Sequence, residues 1–156
     1  MAHEEQGERG LAIQSLKAAR ELDPARKEIA ARLAELEHQA VKARAQQMLA
    51  RARSEEQAGE LTAAYGSYQA AIRHDPASAG AHVGAARLAL QAGDFSAAAS
   101  WSERAVEYAP RAHEGRLLLA KAQAGMGNKA KAKATLAALL DENPDQKEAR
   151  ALLKSL

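Results

Sequence analysis

Residues 93–110 read GDFSAAASWSERAVEYAP. A Gly-Asp turn and an aromatic residue open the stretch, Ala98 and Ala105 recur at helical spacing, and Pro110 stops the helix. The pattern returns downstream as Gly127-Asn128, Ala132, Leu136, Leu139 and Pro144. It is present upstream as Gly59-Glu60, Ala64, Tyr68, Ala71 and Pro76. Gly59, Gly93 and Gly127 are evenly spaced, and so are Pro76, Pro110 and Pro144, each set with a step of 34 in the numbering. A fixed period of this length is the signature of a stacked repeat array, in which each unit covers the apolar face of the next.

Outward from that stretch, residues 77–92 and 95–109 are expected to form one helical hairpin, turning at Gly93-Asp94. Residues 111–125 and 129–141 form the next, turning at Gly127-Asn128. After Pro144 a further amphipathic helix carries Ala149, Leu152, Leu153 and Leu156 and is expected to cap the array. Upstream, Arg9 to Leu22 reads as an amphipathic helix with Leu11, Ala12, Leu16 and Ala19, and Gly7-Glu8 reads as the turn that opens it. The half-repeat that should precede Gly7 is nearly absent, so the sequence is expected to begin in mid-repeat, as a piece cut from a longer chain would.

The period breaks once. From Pro24 to Pro76 the numbering advances by 52, where two repeats would give 68. The shortfall of 16 amounts to one helix and its turn, and no glycine or proline occurs between Pro24 and Gly59. Residues 25–58 are therefore expected to form one continuous helix about 50 Å long, two first helices fused end to end. Ile29, Leu33, Leu36, Ala40 and Ala43 continue an apolar stripe along it. The register offset is 18, or five helical turns, which puts Ala30 with Met48 and Ala34 with Ala52 on one face.

Composition agrees with closely stacked helices. Apolar residues make up 47% of the 156 residues but aromatics only 3%, and alanine, small and strongly helix-forming, dominates. The net charge of +2, from 22 basic and 20 acidic residues, gives no electrostatic footprint for nucleic acid. No cysteine is present, and no apolar run approaches the length of a membrane span. A soluble, cytoplasmic protein is expected, without membrane insertion, nucleic-acid partner, metal or cofactor.

These residues resemble the tetratricopeptide repeat, whose helix-turn-helix units stack into a right-handed all-α superhelix. The resemblance implies a single solenoid over 1–156: a truncated first repeat (1–24), the long helix (25–58), repeats at 45–78, 79–112 and 113–146, and a cap at 147–156. The match is specific in the second helices, as at Ala64-Tyr68-Ala71-Pro76. It departs from the family pattern where Met48, His82 and Arg116 replace an aromatic residue and Arg51 a leucine. A long helix fused between repeats also resembles bacterial proteins in which such repeats follow a J domain. The His-Pro-Asp signature of that domain is absent, and His74-Asp75-Pro76 has the wrong order.

In this family the first helices form the concave wall, and positions five and nine of each repeat point into it. That implies a peptide-binding groove with Leu49, Val83 and Leu117 as an apolar rail and Arg53, Arg87 and Lys121 as a basic one. The carboxylate clamp of chaperone-binding relatives needs asparagine and lysine, which Arg53, Arg87, Glu114 and Leu118 do not supply. The expected ligand is thus an acidic, partly apolar segment of a protein partner. The alternative is an assembly spacer that dimerises through the N-terminal helix, by Leu11 and Leu16.

Catalytic readings fail on spacing. Gly125-Met126-Gly127 before Lys129 lacks the phosphate-loop spacing and reads as an interhelical turn. His113-Glu114 and His74-Asp75 are sequence neighbours, which do not face each other on a helix, and no histidine stands at i+4. Ser67, Ser96 and Ser102 fall on second helices with nothing to mark one as a nucleophile. Lys129, Lys131 and Lys133 read as a solvated face, and Trp101 as a filler between helices. No enzymatic activity is expected.

Overall fold

A computed structural model describes residues 2–156, so Met1 of the expected segment 1–24 lies outside it. The described residues form eight helices: α1 (Ala2–Leu22), α2 (Lys27–Gln57), α3 (Leu61–His74), α4 (Ala79–Gln91), α5 (Phe95–Tyr108), α6 (His113–Gly125), α7 (Lys129–Glu142) and α8 (Lys147–Ser155). From α2 onward each helix packs on its neighbours in sequence, and α4 also touches α2 and α6. First helices α2, α4, α6 and α8 therefore form one wall, and second helices α3, α5 and α7 the other.

The three turns are chemically alike. Gly59, Gly93 and Gly127 adopt φ of 79°, 76° and 78°, the left-handed region that glycine enters without steric cost. Each follows a first helix and closes it with the same pair of bonds. At Gly59 its own N–H reaches the Glu56 carbonyl, and the Glu60 N–H reaches that of Glu55; Gly93 and Gly127 repeat both. This pattern satisfies carbonyls the helix end would otherwise orphan. Asp94 adds a side-chain cap at the start of α5, accepting from the Ala97 N–H at 2.9 Å.

Small residues fill the interhelical seams. Ala52, Ala64, Ala71, Ala81 and Ala85 are fully buried around Tyr68, and Ala98 and Ala122 fill the corresponding seam in the next repeat. Gly84 lies against the Tyr68 ring so closely that an added Cβ would sit 2.2 Å from it. At the C-terminal end α8 lays Ala149, Leu152, Leu153 and Leu156 over Leu117, Ala120, Leu136 and Leu139, closing the last apolar face.

Helix α2 is continuous through 38–45, as the absence of breakers predicts. Two details differ from expectation. Gly7-Glu8 forms no turn: α1 runs through both residues, and Gly7 has no positive φ. A glycine inside a helix lowers stability by about 1 kcal/mol relative to alanine but does not by itself break it. The shared face is also covered at one end only. Ala52 is fully buried and Met48 half-buried, whereas Ala30 and Ala34 are exposed. The buried residues in the first half are Leu33 and Leu36, and Leu33, the more deeply buried, lies about 100° round the helix from Ala34. It lies on the side where α1 packs, tied by a Lys17–Glu37 ion pair of 2.9 Å. So α1 and α3 take different sides of α2, just as α3 and α5 take different sides of α4.

Candidate functional site

Helices α2, α4 and α6 carry the six residues expected in the groove at repeating positions, but their environments differ. Leu49 packs partly into the Tyr68 cluster, Val83 is half-buried on α4, and Arg53 is exposed. Leu117 is only 6% exposed and belongs to the core beneath α8, so it offers little surface to a ligand. Arg87, Leu117 and Lys121 line one open cavity of about 530 Å³, together with Leu90, Phe95, Leu118 and two glutamates, Glu114 and Glu148. Leu49 and Arg53 lie apart from that cavity and converge instead on Gly80 of α4.

The basic rail is largely occupied by the protein's own acids. Arg87 Nε donates to Glu56 Oε1 at 2.7 Å, and Nη2 to Oε2 at 3.0 Å, while Nη1 reaches Glu114 Oε1 at 2.7 Å. Tyr68 adds its hydroxyl to Glu56 Oε2 at 2.6 Å. The Arg87 hydrogen bonds hold the Glu56 carboxyl below its ordinary range, against the opposing effect of burial, and raise the guanidinium's own. Burial and the Glu56 carboxylate push the Tyr68 hydroxyl up to about 12. Lys121 is taken too, its Nζ 2.5 Å from Glu148 Oε1. Two parallel bonds to one carboxylate fix a guanidinium far better than a lone exposed pair does.

The repeat register already places Glu114 on this wall, but its pairing, and the roles of Glu56 and Glu148, were not anticipated, though a signal for two of the three pairs was present. Arg87 to Glu114 and Lys121 to Glu148 are both steps of 27, so the pairing itself follows the repeat. Glu56 carries no such mark, because its partner depends on how α2 is rotated. The departures at the aromatic position are also resolved. His82 is buried between Trp101 and Tyr108, with ring centroids 5.6 and 5.5 Å away, and Arg116 pairs with Glu142 at 2.8 Å. Trp101 fills the gap between two core clusters and donates Nε1–H to the Tyr65 hydroxyl at 3.0 Å.

Among the described residues no group of three or more His, Cys, Asp or Glu could hold a metal ion, and no helix is long and apolar enough to cross a membrane. The architecture is that of a helical-repeat protein with a concave wall of first helices. Sequence models described as tetratricopeptide repeat match residues 49–116 and 89–156, and the chain belongs to that family. No curated protein sequence matches. Among solved structures the chain is similar to the Arabidopsis OM64 TPR domain, with a TM-score of 0.68 and 19% identity over 71% of this chain and 92% of that one. It is similar also to the second TPR domain of human RPAP3, in complex with the HSP70 peptide SGPTIEEVD, with a TM-score of 0.69 and 20% identity over 72% and 93%. A third likeness is to the Yersinia enterocolitica translocator chaperone SycD in an alternative dimer, with a TM-score of 0.64 and 16% identity over 71% and 89%.

Proposed function

We propose that the protein is a non-catalytic interaction scaffold that holds a segment of a protein partner along the wall of first helices, across Leu49, Arg53, Val83, Arg87, Leu117 and Lys121. The observation that carries this reading is the open cavity of about 530 Å³ on that wall, which has apolar walls and charged rims. The solved RPAP3 domain is in complex with an HSP70 peptide, and peptide binding, with a different ligand, is proposed here for the wall of first helices. Glu114 and Leu118 give no counterpart of the carboxylate clamp. The internal pairing of Arg87 and Lys121 turns the expected basic rail into a mixed wall. A bound segment then gains chiefly from apolar contact, and acidic groups add to it only where a base is not already paired. Affinity on the order of micromolar and weakened by salt follows from a few such contacts offset by the cost of association.

The test is photo-crosslinking. A benzoylphenylalanine placed at Val83 or Lys121 should capture a bound peptide, and one at Glu103 on the exposed side of α5 should not. Equal capture from Glu103 would sink the groove.

A specific observation supports a second reading, self-association at the N-terminal edge. Leu11 is 66% and Leu22 89% exposed, Val41 on α2 is exposed with them, and Leu16 is half-buried. Large exposed apolar side chains along one helix tend to find a partner.

A further inference from the structure

The ion-pair ladder of the concave wall is incomplete at one rung. In two successive repeats the base at position nine reaches a glutamate in the first turn of the next first helix, a step of 27 each time: Arg87 to Glu114 on α6, Lys121 to Glu148 on α8. The same step from Arg53 lands on Gly80, in the first turn of α4, where no acidic residue stands. The geometry matches the register. A Cβ built on Gly80 would lie 3.4 Å from Arg53 Nη2 and 3.7 Å from Leu49 Cδ2, so the guanidinium reaches the place a glutamate stem would start from.

Nothing else nearby takes its role. Among the described residues Arg53 has no carboxylate partner. Glu56, on the next turn of α2, attracts it, yet both carboxylate oxygens are already bonded, one to Arg87 and the other to Arg87 and Tyr68. Arg53 is therefore an exposed base on the groove wall with its reach directed over a glycine and Leu49 beside it, while half-buried Val83 stands three residues on from Gly80, about one turn along α4.

We propose that the Arg53–Gly80 gap is the anchor subsite of the groove, where an aspartate or glutamate of the partner segment takes the place that Glu114 and Glu148 fill in the later repeats. An aliphatic residue beside that acid rests on Leu49 and Val83. This rests on the groove reading above and sharpens it, because Arg87 and Lys121 already hold acids of the chain and Arg53 is the base left for an incoming one. The glycine is what makes the subsite: a carboxylate there from the protein itself would close it.

The experiment uses the whole chain and a displayed library of random decapeptides, with selections on the parent protein, Arg53→Gln and Gly80→Glu. Selection on the parent should enrich Asp or Glu next to an aliphatic residue. A synthetic copy of the leading peptide should lose about tenfold in affinity when its acid becomes the amide, as expected for a charge-assisted bond. That loss should vanish in Arg53→Gln, which is the coupling a double-mutant cycle isolates. Gly80→Glu should cost the peptide a similar factor with no fall in melting temperature, since its neighbours are the flexible ends of Arg53 and Leu49. Arg53→Gln alone suffices if Gly80→Glu misfolds. Peptides recovered without an acidic preference, or an acid whose contribution survives in Arg53→Gln, overturn the subsite and leave the groove standing. Recovery of no peptide above a blank surface overturns both.

Discussion

At the scale of single residues the structure hangs on tight contacts between large and absent side chains. Gly84 is the sharpest case, because the Tyr68 ring occupies the space its Cβ would need and is itself only 1% exposed. Gly84→Ala gains helix propensity of about 1 kcal/mol but must displace a buried ring, an overpacking cost of about 1–3 kcal/mol or more. With the ring only 2.2 Å away the cost falls at the upper end of that range, and a net loss of about 2 kcal/mol is expected, seen as a lower denaturation midpoint with an unchanged slope. Glu56 predicts a pH dependence. Its carboxyl is depressed in the folded state by Arg87, so its stabilising contribution is present above the unfolded value near 4.5 and is lost as pH falls through the folded one. Glu55, held down by Ser67 and Arg51, and Glu142, held down by Arg116, share that window. Glu56→Gln should flatten the acid limb of the stability profile, and an unaltered limb would mean the Arg87 bonds contribute nothing. On the alkaline side, the raised Tyr68 hydroxyl makes stability fall as pH rises past 10 toward 12. Little of this was legible beforehand. Tyr68 could be placed at a packing position from its spacing, but its partner Gly84 on α4 could not, because that contact depends on helix rotation.

At the scale of elements α2 is the unusual member, a 31-residue helix with different neighbours along its two halves. Its continuity could be read from the missing glycine and proline alone. Its twist of environment could not, since the five-turn spacing says which residues share a face but not where the neighbouring helix lies. Leu33 is buried on the α1 side, and α1 otherwise exposes Leu11 and Leu22. Repeat arrays are held chiefly by contacts between neighbouring units, so an end unit can open without its distant ones. Leu33→Ala, which removes a buried side chain at a cost of about 2–5 kcal/mol, should speed amide exchange in α1 and the first half of α2 and leave α4 to α7 unchanged. Uniformly faster exchange across all helices would mean that the chain unfolds as a unit.

At the scale of the whole molecule the array has two kinds of surface, a mixed charged and apolar wall along its first helices and an apolar patch at its N-terminal end. Leu11→Glu together with Leu22→Glu should leave peptide binding unchanged and abolish any concentration-dependent association in sedimentation; persistent association would place the contact elsewhere. The repeat period made the architecture legible because each turn, alanine seam and proline recurs at the same interval. The wall's chemistry was legible only in part, since Arg87 and Lys121 could be placed there but the acids across from them belong to the next helix or another face. Groove binding is tested most directly by the backbone amide spectrum of the isotope-labelled chain, titrated with a library-selected peptide. Shifts should appear at Leu49, Arg53, Gly80, Val83 and Lys121, with the exposed sides of α3, α5 and α7 unmoved. Shifts centred on Leu11, Leu22 and Val41, with the first-helix wall quiet, would contradict a groove scaffold.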